Sequence, residues 1–175
     1  MNQTSAILKV AVFNQIACIK ISDRANFTSS LDLKKLVTEL WEHGYQCFIL
    51  DLTDCLAMDS TFLGVVSELG LKFYGDGDSN AHLIELVNPN PRLAEDLDNL
   101  GIAHLFKISE RSEPLCEKFE PLTCMQGVKP ADITRTCLKA HQTLIDINPE
   151  NERKFKDVTQ YLTENLKRQE LAGKT

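Results

Sequence analysis

The segment Cys47-Phe48-Ile49-Leu50-Asp51-Leu52 constrains the chain more than any other. It is short, almost wholly apolar and bounded by polar residues. A solvated face would demand alternation, so a run of this kind reads as a strand buried on both faces of a sheet. Helical stripes flank it. Before it, Phe27, Leu31, Leu33, Leu36, Val37, Leu40 and Trp41 follow helical spacing, with Gly44 as the C-terminal stop. After it, Phe62, Val66, Leu69 and Phe73 form a second stripe that ends at Gly75-Asp76-Gly77-Asp78. A strand held between two helices in this way needs a parallel neighbour and crossover connections.

The rest of the first two-thirds extends the pattern. Residues 7–13 and 16–21 are β-rich, and Asn14-Gln15 between them suggests a hairpin. Residues 82–87 form a further strand. Asn90-Pro91 opens a third helix carrying Leu93, Leu97 and Leu100, with Gly101 after it. Residues 102–108 give a last short strand. The order β-β-α-β-α-β-α-β predicts an α/β fold, a mixed sheet with an N-terminal β-hairpin and alternating helices.

Beyond residue 108 the pattern breaks. Pro114, Pro121, Gly127 and Pro130 punctuate residues 109–130, which read as a linker or extended loop. Helical spacing returns with Ile133, Cys137, Leu138, Leu144 and Ile145, and His141 lies on that stripe. Asn148-Pro149 restarts a helix along Phe155, Val158, Leu162 and Leu166, and residues 167–175 are expected to fray. These stripes demand burial. Packing on the same chain is the default, and a partner-binding or dimerising hairpin is the other option. The predicted organisation is a domain over 1–108, a linker over 109–130 and C-terminal helices over 131–175 packed on the domain.

Charge and composition exclude several function classes. The net charge is −6, which argues against nucleic acid and against an anionic membrane surface. No run approaches the roughly 18 apolar residues of a spanning helix. Met1-Asn2-Gln3-Thr4-Ser5-Ala6 lacks the basic and apolar regions of a secretory signal, so a cytoplasmic location is expected. The six cysteines then read as thiols, with Cys18 and Cys47 as small buried hydrophobes and Cys116 and Cys124 in a loop. No Cys or His spacing suggests a metal, and no Gly-rich phosphate loop occurs, so no cofactor is expected.

One segment carries candidate chemistry. Asp59, Ser60 and Thr61 fall after the carboxyl end of a buried strand and at the start of a helix. Ligands and reactive groups collect there in open α/β sheets. Free N–H groups and the helix dipole would accommodate a phosphate built on Ser60 or Thr61. The same three residue types are also ordinary N-caps. A Ser60 or Thr61 nucleophile would need a base and an oxyanion hole. None of His43, His82, His104 and His141 stands in a recognisable nucleophile–base signature, and structural roles are expected for them.

The stretch Leu50-Asp51-Leu52-Thr53-Asp54-Cys55-Leu56-Ala57-Met58-Asp59-Ser60-Thr61-Phe62-Leu63-Gly64-Val65-Val66 resembles the signature of the STAS domain, the family that includes the anti-sigma factor antagonists. The resemblance runs over residues 7–108. It includes Arg24-Ala25-Asn26-Phe27 and Asn88-Pro89-Asn90-Pro91-Arg92-Leu93. It implies a STAS-like fold and a non-catalytic role. In that role the protein binds a kinase-type anti-sigma factor, is phosphorylated by this Ser/Thr protein kinase and is reset by a protein phosphatase.

The resemblance implies Thr61 as the phosphorylated residue, with Ser60 as second choice and Asp59 as loop organiser and cap. Phe62 stands where the family carries glycine. It lies on the Val66-Leu69-Phe73 stripe and beside the acceptor, so core packing and partner contact are both open. Asp23 and Asn26 fall at the turn where many members carry an acidic residue. A scaffold or ligand-sensing module in another bacterial signalling complex is the alternative reading.

Overall fold

The computed structural model describes residues 5–73 and 83–174. The hairpin pairs β1 (Ile7–Phe13) with β2 (Ile16–Ala25), and Asn14 and Gln15 both take positive φ at its tip. Two left-handed residues between strands match the twist of an antiparallel ribbon. After α1 (Phe27–Glu42) comes β3 (Cys47–Asp51), which runs parallel to β2. The chain then jogs at residues 52–54 and forms β4 (Cys55–Met58), also parallel to β2. Next come α2 (Ser60–Lys72), β5 (Ile84–Val87), α3 (Pro91–Leu100) and β6 (Lys107–Ser109). β5 pairs parallel with β3, and β6 pairs parallel with β5. A two-residue β7 (Glu120–Pro121) closes the far side against β1. The sheet order is β6-β5-β3-β2-β1-β7, with β4 beside β2.

The expected α/β class and mixed sheet are present, with four local corrections. β4 falls inside the stretch expected as a loop before α2. Residues 102–108 contain a 3-10 turn at Ala103–Leu105 and only three strand residues. The 109–130 segment supplies β7. The final helix, α5 (Glu152–Ala172), continues through the residues expected to fray, and Arg135 of α4 (Pro130–Ile147) pairs with Glu170 at 3.0 Å. The Gly75–Asp78 turn and the His82 start of a strand lie outside the described residues.

Two apolar layers enclose the sheet. On one face Ile19, Ile21, Phe48, Leu50, Leu52 and Leu86 meet α1, α2 and α3. On the other, Cys18, Ile49 and Val87 are covered by Leu115, Cys116 and Phe119 from the segment after β6. Both faces of β3 are therefore buried, as its unbroken apolar run requires. Burial pushes the Cys18 thiol up to about 12, so it stays protonated and behaves as a small hydrophobe.

The C-terminal helices add a layer over α2 rather than over the sheet. At the closest approach a Cβ on Gly64 would lie 2.5 Å from the carbonyl oxygen of Ala140. Only a residue without a side chain admits this crossing. The turn after α4 is pinned to the end of α3. The Asn151 side-chain amide donates to the carbonyls of Leu100 (2.9 Å) and Leu144 (2.8 Å). α5 itself rests on α4 and has no fully buried residue.

Gly64→Ala tests the crossing. An alanine gains about 1 kcal/mol of helix propensity over glycine. Overpacking against main chain costs about 1–3 kcal/mol. The clash is expected to win, giving a lower thermal midpoint with α4 displaced.

Candidate functional site

The site is built where two helices begin side by side. β2 and β4 run parallel into it, and the Asp59 N–H continues their ladder by donating to the Ala25 carbonyl at 2.9 Å. This register sets the start of α1 beside the start of α2. The Asp59 carboxylate then serves both. Oδ1 accepts from the Phe62 N–H at 2.7 Å, capping α2, and Oδ2 accepts from the Phe27 N–H at 2.9 Å. Burial pushes the Asp59 carboxyl up, while the Phe62 and Phe27 N–H groups and nearby His141 pull it back.

Asn26 caps α1 in a reciprocal box. Its Oδ1 accepts from Thr28 and Ser29 N–H, and Ser29 Oγ accepts from the Asn26 N–H at 3.0 Å. Asn26 thus lies next to Asp59. Asp23 does not join them. It sits exposed at a bulge with φ +68°, and its N–H donates to the Asp54 carbonyl.

The two hydroxyls occupy different environments. Ser60 is half-buried, and its Oγ lies 2.8 Å from His141 Nε2 on α4. His141 Nδ1 lies 2.7 Å from the Cys137 carbonyl, which can only accept. Nδ1 therefore carries the proton in the neutral ring, and Ser60 donates to Nε2. Thr61 is 6% exposed and lies beneath α4, with its side chain beside the Cys137 thiol. Phe62 has no exposed surface and belongs to the core, so it is not available as a partner contact.

The Ser60–His141 pair spans 81 residues. Nothing local in the sequence links the two, and the alternation of His141 with apolar residues signals only burial. The pair resembles a nucleophile and its base. Here the orienting group is a main-chain carbonyl, and the Phe62 amide at the helix start bonds to Asp59. The arrangement holds the Ser60 hydroxyl in place against α4.

A salt bridge fastens the same contact further along. Glu68 of α2 accepts from Lys139 of α4 at 2.7 Å and from Lys34 of α1 at 3.1 Å. Burial opposes the Glu68 charge, but these two lysines outweigh it and hold the carboxyl below its ordinary value.

A cavity of about 130 Å³ opens beside the carboxyl ends of β3 and β5 and the middle of β2, lined by Lys20, Asp51, Thr53, Asn88 and Arg111. Its polar groups satisfy one another. Lys20 pairs with Asp54, Arg111 with Glu85, and Asn88 bonds Thr53 and the Arg111 main chain. Among the described residues no group of three or more His, Cys, Asp or Glu could hold a metal ion. No helix among them is long and apolar enough to cross a membrane.

A hairpin-first mixed sheet, a parallel strand split by a jog, and a hydroxyl pair on the next helix define a small α/β domain whose site is a helix start. The STAS domain family model matches residues 8–114, and the chain belongs to that family. Its fold is similar to a Thermotoga maritima protein described as a candidate anti-sigma factor antagonist. That likeness has 21% identity and a TM-score of 0.52, covering 60% of this chain and 87% of that one. It is also similar to the anti-sigma factor antagonist SpoIIAA in its unphosphorylated form, with 14% identity, a TM-score of 0.50, and 61% and 89% of the two chains covered. No curated protein sequence matches the chain significantly. The family match ends before α4, so His141 and Cys137 come from outside it.

Two measurements check this geometry. Ring-nitrogen chemical shifts of His141 are expected to show the Nδ1–H tautomer, and Ser60→Ala is expected to cost about 1 kcal/mol for the lost hydrogen bond. A lowered Glu68 carboxyl stabilises the fold above its unfolded value and loses that contribution as pH falls. Stability is therefore expected to drop on acidification below the ordinary value of 4.5, with a shallower slope in Glu68→Gln.

Proposed function

We propose that the protein is a non-catalytic regulator of the anti-sigma factor antagonist type. It binds a kinase-type anti-sigma factor and is switched by reversible phosphorylation on the first turn of α2. The kinase supplies the phosphate and a separate protein phosphatase removes it, in the cytoplasm. Residues 1–108 form the regulatory domain, 109–130 the connection and 131–175 a helical addition.

The observation that carries this reading is the Asp59 carboxylate tying both helix starts together next to Ser60 and Thr61. A phosphate brings about two negative charges. Placed beside Asp59, it would repel that carboxylate, disturb the surface around two helix starts and weaken any partner fitted to the neutral hydroxyl. Membership of the STAS family and likeness in fold to two anti-sigma factor antagonists support the same role.

Thr61 is the acceptor that the family pattern implies. The structure gives Ser60 a claim of its own, because Ser60 is half-buried while Thr61 lies under α4. Phosphopeptide mapping of the protein from its own cells, under growth and stress, decides between them. Condition-dependent phosphate on Thr61 is expected. Phosphate confined to Ser60 moves the acceptor by one residue. No phosphate anywhere in residues 51–66 removes the switch.

A further inference from the structure

The acceptor hydroxyl that the family pattern implies is covered by a part of this chain that lies outside the family match. Thr61 is 6% exposed and lies against Cys137, and the cover continues through Ser60–His141, Gly64–Ala140 and Glu68–Lys139. Four consecutive contacts along α2 leave no room for a kinase active site at Thr61 while α4 is seated.

We propose that the α4–α5 hairpin is an intramolecular cap, and that phosphate on Thr61 and seated α4 exclude one another. The inference rests on the switch proposed above and adds its regulation. A phosphate on Thr61 would place about two negative charges between the Asp59 carboxylate and a half-buried thiol, with desolvation and repulsion both unfavourable. Burial pushes the Cys137 thiol up and keeps it neutral, and a neutral thiol offers the phosphate no positive charge. His141, on the same stretch of α4, has its ring nitrogen engaged with Ser60, Lys139 is held by Glu68 and Arg135 by Asp132 and Glu170.

The geometry also says how the cap lifts. Asn151 bonds the Leu100 carbonyl, and Lys154 bonds the Asn99 carbonyl at 2.9 Å, so the turn after α4 stays fixed to α3. The first half of α4 swings about that anchor. Once lifted, α4 loses the face that stabilises it, since short helices in water are marginal. Modification and docking are linked in both directions: a phosphate lifts the cap, and a lifted cap lets a kinase in.

Hydrogen exchange on the full chain tests the proposal with no kinase present. In Thr61→Glu, amides in residues 130–141 are expected to exchange about tenfold faster or more, while those in β2, β3 and residues 148–155 keep their protection. Unchanged protection over 130–141 overturns the proposal. If Thr61→Glu also loosens the sheet, a second measurement decides. A thiol placed by Thr61→Cys is alkylated by iodoacetamide, with and without Ala140→Arg on the facing helix. The expected result is slow labelling that Ala140→Arg accelerates. Labelling as fast as in denatured protein without Ala140→Arg refutes the cap. These outcomes are independent of the phosphopeptide map. A cap that moves with charge at residue 61 in a protein never phosphorylated in cells would defeat the switch and leave the linkage standing.

Discussion

Asp59 has two carboxylate oxygens and one main-chain N–H, and each is committed to a different element. The N–H extends the ladder from β4 to Ala25 of β2, one oxygen caps α2 and the other holds the first N–H of α1. Remove this residue and two helix starts lose donors' partners at once, while the strand that delivers them loses its last rung. The layout of the site follows from this triple attachment. Ser60 and Thr61 are placed by it, Asn26 is drawn beside it, and Phe62 is turned inward by it. Such a carboxylate is expensive to bury, and its raised carboxyl records that cost.

How much of this was legible in the sequence depends on the range of the interaction. The hairpin tip, the Gly44 and Gly101 stops and the Asn90-Pro91 start are local devices, and they lie where the residues place them. β4 was missed because Cys55-Leu56-Ala57-Met58 is four residues long and follows a turn, too short for alternation to show. The Asp59-Ser60-Thr61 segment was legible as a helix start. Its companions on α4 were not, because nothing periodic joins residues 60 and 141. One sign was available. Residues 61–70 are apolar or small except for Glu68, which is the composition of a helix covered on both faces. A helix lying on a sheet with its back to solvent would show charge where Gly64 and Ser67 stand.

The layering explains the unequal burial of the two C-terminal helices. α4 faces α2 and carries the buried residues Leu138, Ala140, His141 and Leu144. α5 touches the rest mainly through α4, and none of its residues is fully buried. Stability of the outer helix is thus conditional on the inner one. The Arg135–Glu170 pair is exposed at both ends and is worth little alone. The firm attachment is Asn151, where a buried side-chain amide satisfies carbonyls from two helices.

β7 carries a consequence for the molecule among its copies. A sheet whose outermost strand is a hairpin arm presents unpaired main-chain groups, and chains that meet there can stack into aggregates. Here the arm is β1, and the residue laid against its middle is Pro121, with Glu120 beside it. Proline has no N–H to offer a further strand, and the glutamate adds charge to a rim that would otherwise be apolar. At the opposite rim β6 is three residues long. The segment that screens the second face of the sheet therefore ends as a stopper, keeping the hairpin edge from templating a polymer of copies.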